Sequence, residues 1–341
     1  MDKKKIALII DTEGWAFDNI AHQIKKNLSE YFDIDIITGR LFEGNMARLF
    51  VFCKEYDLIH FLWRGYISLI DQEETKKHVE EYYGMSYEEF KKEYIYSKKI
   101  SFAICDHLYL RGEEAWRTDV IMRYTPHYMV TSNKLLEIYN KKENKPEAVI
   151  HDGVDLTKYF PQNLERFNEN IEKIIAGWVG NSKFKDSDND DDMKGVEGII
   201  KPAIAELKEE GYNIELELAD RNIKMIPQEE MPKFYNKISV YICASKEEGT
   251  PLTILESMAM GIPVITTDVG VAREALGELE KKYIMEERSK ECLKNKIKLL
   301  FENKKELSAI SKENMEQVKK FDWTIVCKQY KDFFENILKQ G

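Results

Sequence analysis

A chain of 341 residues with 43% hydrophobic and 33% charged side chains has room for about two domains, each with its own core. A net charge of −10 argues against general nucleic-acid binding, which needs a basic face, and no apolar run approaches the roughly 20 residues of a membrane span. Five scattered cysteines with no C-x-x-C pair point to a reduced, cytoplasmic protein without a zinc site, and the apolar run after MDKKK is too short for a signal peptide.

In chain order, Lys5–Asp11 reads as a buried parallel strand. The turn Asp11-Thr12-Glu13-Gly14 leads into an amphipathic helix from about Ala16 to Glu30. Strand, glycine turn and helix open a nucleotide-type half-fold. Asp33–Thr38 predicts a second strand, Glu43–Glu55 a helix, and Asp57–Trp63 a third strand that delivers Arg64 and Gly65. Ligand crevices in such sheets lie at the carboxyl ends of strands, so Arg64 is either a cleft residue or an arginine paired with a local acid. Residues 73–97 have a helical, tyrosine-rich pattern; Ile100–Ile104 is the next strand, followed by Cys105-Asp106-His107. His127–Thr131 is a strand, and Ser132 caps a helix to Asn140. His151-Asp152-Gly153-Val154-Asp155 begins a linker ending near Pro161, which places a domain boundary near residue 170.

The second half begins with the strand Ile174–Val179 and the turn Gly180-Asn181-Ser182-Lys183. The acidic run Asp186–Asp192, with Glu197, imitates a calcium loop through Asp186, Asp188 and Asp190, but Asp191 stands where the sharp turn wants glycine. A solvated insertion is the expectation, and no metal site. After Lys194-Gly195 come a helix Val196–Glu210, strands Asn213–Leu218 and Ser239–Cys243, and a short helix Pro232–Lys237 between them. Beyond residue 268, helices are predicted near 287–302, 304–319 and 322–338.

The most informative stretch is Cys243–Asp268. Glu248-Gly249 makes a turn, Thr250 is a good N-cap, Pro251 suits the first helical position, and Gly261 stops the helix begun at Leu252. A helix N-terminus offered by a glycine turn is a seat for a phosphate or for sugar hydroxyls. The string Glu248-Gly249-x-Pro251-x-x-x-x-Glu256-x-Met258-Ala259-x-Gly261-x-Pro263-Val264-Ile265 resembles the E-x7-E region of the retaining nucleotide-sugar glycosyltransferases of family four, whose fold is GT-B.

That resemblance implies an α/β fold of two Rossmann-like, doubly wound parallel-sheet domains facing a central cleft. Residues 1–170 would hold the acceptor, with helix 322–341 packed back on them; residues 171–321 would hold the donor. It implies sugar transfer from a nucleotide diphosphate sugar to a glycan, lipid-linked or protein acceptor, with no metal and no cofactor. His107, Glu248 and Lys194 become catalytic candidates. Donor-binding candidates are Gly14, Asn181, Lys183, Gly249, Thr250, Pro251, Leu252 and Glu256; acceptor candidates are Trp15, Arg64 and Asp106. Asn181 replaces the arginine usual after the glycine, and the order Asp106-His107 inverts the common one. Glu256 would hold ribose, Glu248 the sugar hydroxyls, and the lysines the diphosphate. Peripheral contact with the inner face of a membrane is compatible with this. A sugar-nucleotide epimerase or hydrolase on the same fold, or a non-catalytic partner subunit, are the rival readings; an epimerised sugar formed without acceptor would mark the first.

Overall fold

The computed structural model describes residues 3–168, 170–184 and 192–340. The chain divides into two compact units, Met1–Asp152 with Trp323–Gly341, and Gly153–Asp322. The boundary expected near residue 170 therefore moves to 152/153. Its reason is packing: Val154 and Tyr159, read as linker, and Phe167, placed before the expected boundary, are buried in the core of the second unit.

The first unit is a six-stranded parallel sheet of β1 (Lys4–Ile10), β2 (Phe32–Thr38), β3 (Leu58–Phe61), β4 (Lys99–Ile104), β5 (Tyr128–Val130) and β6 (Ala148–Val149). Their order is β2-β1-β3-β4-β5-β6. Alternation along β1 explains why both faces are covered: Ala7 and Ile9 join one core, Ile6, Leu8 and Ile10 the other. The second face is closed by helix Ala16–Leu28 and by the terminal helix Trp323–Lys339, whose Val326, Tyr330, Phe334 and Ile337 are buried against it. His60 is sealed there with Nδ1 2.9 Å from Ser101 Oγ and its ring 5.1 Å from that of Phe334; burial pushes its pKa down to about 3.

The second unit has β7 (Ile174–Gly180), β8 (Ile214–Asp220), β9 (Val240–Cys243), β10 (Val264–Thr267) and β11 (Ile284–Met285), all parallel, in the order β11-β10-β9-β7-β8. The expected fold class, two doubly wound parallel-sheet α/β units, is the one formed. In each sheet the chain reverses direction across one gap, between β1 and β3 in the first and between β7 and β9 in the second. Crevices at such reversals, beyond the carboxyl ends of the strands, are where this architecture binds ligands.

Local departures have local causes. The helix expected over Glu43–Glu55 is only Met46–Phe52, because Glu43 and Gly44 are left-handed and Asn45 caps the helix by accepting from the Arg48 N–H. No helix among the described residues is long and apolar enough to cross a membrane, and no group of three or more His, Cys, Asp or Glu among them could hold a metal. Asp186, Asp188, Asp190 and Asp191 of the calcium-like string lie outside the described residues. Asp192 is committed otherwise: its two oxygens accept from the N–H groups of Glu197 (3.2 Å) and Gly198 (2.8 Å), which caps the following helix.

Glu280 is fully buried in the second unit. Its Oε1 accepts from the Val264 N–H at the start of β10 and from Asn314 Nδ2 at 3.2 Å, while burial pushes its pKa from 4.5 up to about 8. The folded state thus holds the neutral acid, and the unfolded chain ionises first. Stability should be greatest below about pH 4.5 for this group and decline as pH rises toward 8, with a limiting slope of about 1.4 kcal/mol per pH unit. Urea denaturation of Glu280→Gln across that range should show the decline removed and equal or greater stability above pH 8.

Candidate functional site

The candidate site gathers at the carboxyl edge of the second sheet, where β7 and β9 part. The loop carrying Lys194 is fixed first. Gly195 has φ +70°, and a Cβ there would lie 2.5 Å from the Ala244 carbonyl oxygen just beyond β9, so only glycine allows the approach. The Lys246 N–H donates to Met193 O at 2.9 Å, and Arg288 clamps the same junction by donating to Ala244 O (2.9 Å) and Asp192 O (2.5 Å). Lys194 Nζ then stands 2.5 Å from Glu248 Oε1 and 5.0 Å above the Phe184 ring. Both partners are about one-fifth exposed. An ammonium has three N–H donors, so two remain for oxygens arriving from solvent.

Glu248-Gly249-Thr250-Pro251 runs from this pair into helix Leu252–Ala259. Thr250 was expected to occupy the N-cap; instead Pro251 does, extended at ψ 93° and with no side-chain cap hydrogen bond of its own. A proline ring at the N-cap has no side-chain acceptor, and the helix begins one residue later. Gly270, left-handed at φ +48°, lets the β10 turn press against the Gly249 carbonyl, where a Cβ would lie 2.1 Å away. The helix N-terminus is therefore held from two sides.

Glu256 projects from the middle of this helix, half-buried. The Tyr235 hydroxyl donates to its Oε2 at 2.6 Å. Burial raises its pKa, opposed by Tyr235, Tyr159 and the charge of Lys158. Lys158 is itself lowered by burial, with Glu256 pulling it back. Tyr159 lies against the carboxylate without a hydrogen bond of normal geometry.

At the end of β7, Asn181 Oδ1 accepts from Asn222 Nδ2 (2.7 Å) and from the Lys183 N–H (3.1 Å). Asn222 Nδ2 also reaches Asp220 Oδ1 at 2.9 Å, tying the exits of β7 and β8 together. Asn181 is thus a loop brace whose amide donors remain, and Lys183 is exposed, with no ion pair among the described residues.

The candidates of the first unit fare differently. Arg64 is 3% exposed: its Nη2 donates to Asp106 Oδ1 (2.5 Å) and Leu108 O (2.7 Å), and its guanidinium lies 5.1 Å from the Tyr109 ring centre. Burial alone would lower its pKa, but the Asp106 charge holds it above the ordinary value. The same Asp106 oxygen accepts from the Leu108 N–H at 2.9 Å. Both residues, expected to contact an acceptor, are struts of the loop after β4, which also holds Tyr109 at φ +65°. The Gly14 N–H, expected to face a donor, is taken by Asp18 Oδ2 at 2.8 Å. Trp15 is 47% exposed, and His107 is half-buried beyond β4.

Tyr235, Tyr159, Lys158 and Arg288 escaped sequence reading. Lys158-Tyr159 lies in the string read as linker, and its proximity to Glu256 was the one signal that order along the chain could not carry.

Residues 151–317 match the family described as Glycosyl transferases group 1. The capsular polysaccharide biosynthesis glycosyltransferase CapM of Staphylococcus aureus is 23% identical over 244 residues, 63% of this chain and 60% of CapM. The lipopolysaccharide core biosynthesis mannosyltransferase LpsB of Rhizobium meliloti (strain 1021) is 39% identical over 57 residues, 17% of this chain and 16% of LpsB. The chain thus matches less than two thirds of the length of either relative. The crystal structure of Anabaena Alr3699/HepE in complex with UDP superposes with a TM-score of 0.68 at 13% identity, covering 98% of this chain and 100% of that one; this is a likeness of fold. Residues 151–317 are thus similar to the glycosyl transferases group 1 family, and the chain's two parallel-sheet units match the GT-B fold.

Proposed function

We propose that this protein is a retaining, metal-independent glycosyltransferase that moves a sugar from a nucleotide diphosphate sugar to a glycan, lipid-linked or protein acceptor. The observation that carries the reading is the Lys194–Glu248 pair at the start of helix Leu252–Ala259, four residues before Glu256 enters its polar pocket. The fold match to a protein crystallised with UDP supports a nucleotide at this edge.

In this reading the diphosphate lies along Lys194 and the N–H groups at Gly249 and Thr250, with exposed Lys183 and the Asn181 amide beside it. Fixed donors aimed at the leaving oxygens stabilise the charge that grows as the anomeric carbon–oxygen bond breaks. Glu256 accepts from the ribose hydroxyls, and Pro251 and Leu252 floor the pocket. Glu248, its charge partly satisfied by Lys194, takes hydroxyls of the transferred sugar. The acceptor attacks from the same face, and its proton passes to the departing phosphate, so no separate base is required. The first unit supplies acceptor contacts, with Trp15 as an exposed ring and His107 as a donor to a hydroxyl.

Truncating Glu256 to alanine would strand the Tyr235 hydroxyl, a cost in stability unrelated to binding. Glu256→Gln keeps an acceptor for it. Titration calorimetry should show nucleoside diphosphate affinity weakened about tenfold, or 1.4 kcal/mol, with the melting temperature almost unchanged. Unaltered affinity would make Glu256 a structural residue.

Lys194→Met should lower kcat by roughly 10²–10³, the scale of losing one fixed transition-state donor. With the parent enzyme, excess EDTA should leave turnover unchanged, and NMR of the product should show the donor's anomeric configuration. Loss of activity to EDTA or an inverted product would each refute the corresponding part of the mechanism.

A further inference from the structure

The first unit carries a polar cavity of about 450 Å3 at the edge of its sheet opposite the strands' carboxyl ends. Its position follows from Tyr124, the last residue of helix Trp116–Tyr124: the next residue, Thr125, donates to Ile100 O at the amino end of β4. The volume lies within the about 300–1,000 Å3 usual for small-molecule sites.

Three tyrosines form its walls, two of them immobilised. Tyr124 donates to Asp71 Oδ1 at 2.5 Å, and Tyr87 donates to Ile70 O at 2.6 Å with the same Asp71 oxygen 3.2 Å from its hydroxyl. Tyr96 stacks on Tyr124 with ring centres 6.2 Å apart at 17°, and is 58% exposed. Around the rings stand both signs of charge, Asp71 and Glu88 among Lys76, Lys91 and Arg123. Lys91 lies 5.0 Å above the Tyr87 ring and pairs with Glu88 at 2.7 Å; Arg123, 66% exposed, stands 3.8 Å from Asp71 Oδ2.

The geometry points to a binding site for a neutral saccharide, separate from the donor site of the second unit. The exposed Tyr96 ring, stacked on the anchored Tyr124, offers a face that suits the C–H face of a pyranose, and the anchored part of the wall loses little entropy on binding. Interleaved carboxylates and cations supply both acceptors and donors, as hydroxyls require. A phosphate would meet Asp71 and Glu88 along with the cations, which disfavours an anion. In a chain of this fold, such a site would grip sugars of a longer glycan away from the reacting end.

The test uses the full chain and saturation-transfer NMR with a panel of neutral disaccharides (maltose, cellobiose, lactose), with inorganic phosphate as the anionic control. Saturable binding of at least one disaccharide is expected, weakened about tenfold or more in both Tyr96→Ala and Arg123→Ala, and retained in Glu256→Gln. Both substituted side chains are largely exposed, and unchanged melting curves would confirm folding. Binding by no disaccharide, equal binding by both cavity variants, loss of the signal in Glu256→Gln, or a preference for phosphate would overturn the assignment.

Discussion

The approach of Gly195 to the carbonyl oxygen of Ala244 governs the geometry of the candidate site. A side chain at 195 would push the loop off the end of β9, and Lys194 would lose its place over Phe184 and beside Glu248. The contact converts a loop, normally the most mobile part of such a fold, into an extension of the sheet edge. Gly270 does the same from the other side by admitting the Gly249 carbonyl. Two glycines are thus needed for what they leave out, and the two halves of the site, a cation and a helix start, are positioned by backbone packing before any charge is considered. The Lys194–Glu248 attraction is then a local refinement of a geometry already imposed; partly desolvated pairs of this kind contribute more to placement than to net stability.

Glu256 shows the opposite balance. Its carboxylate is taken from water at a real electrostatic cost, visible in its raised pKa, and the compensation from Tyr235, Tyr159 and Lys158 is incomplete. A residue selected for folding alone would not need to be acidic there: an apolar side chain against the Tyr235 and Tyr159 rings would avoid that cost. Glu280 is more deeply buried, with no exposed surface, and is held neutral instead, tying β10 to Asn314. Two buried glutamates of one domain therefore serve different ends, and the distinction lies in their neighbours: hydroxyls and a lysine around Glu256, a backbone N–H and a carboxamide around Glu280.

Both doubly wound sheets were legible in the sequence, because parallel strands buried on two faces write themselves as continuous apolar runs, as in Lys5–Ile10 and Val240–Cys243, and glycine turns follow them. The segment Glu248–Ile265 was legible because its turn, proline, helix and stop lie within one short stretch. What was hidden depends on contacts between distant positions. Nothing in the local sequence of Arg64 tells that Asp106, 42 residues later, will neutralise and bury it. The pairing of Tyr235 with Glu256 needs the packing of two helices, and the membership of Tyr159 in the second core needs the tertiary fold. The Thr250 cap failed for a smaller reason: threonine before proline looks like a helix start in either register, and the backbone chose the later one.

The two units share a strand order up to the fifth strand yet spend their polar groups differently at the carboxyl ends of their strands. After β3 and β4 of the first unit, a guanidinium and a carboxylate are locked together under Tyr109, with the arginine nearly inaccessible. After β7 and β9 of the second, an ammonium and a carboxylate meet at similar distance but remain partly open to solvent, beside a helix start whose N-cap is a proline. Arginine's planar fork favours the closed arrangement, since it can satisfy Asp106 and the Leu108 carbonyl from one nitrogen. Lysine's point charge leaves donors over for a visitor. The same fold therefore yields a brace in one unit and a receptive site in the other, and the choice between arginine and lysine, together with the glycine that follows Lys194, accounts for the difference.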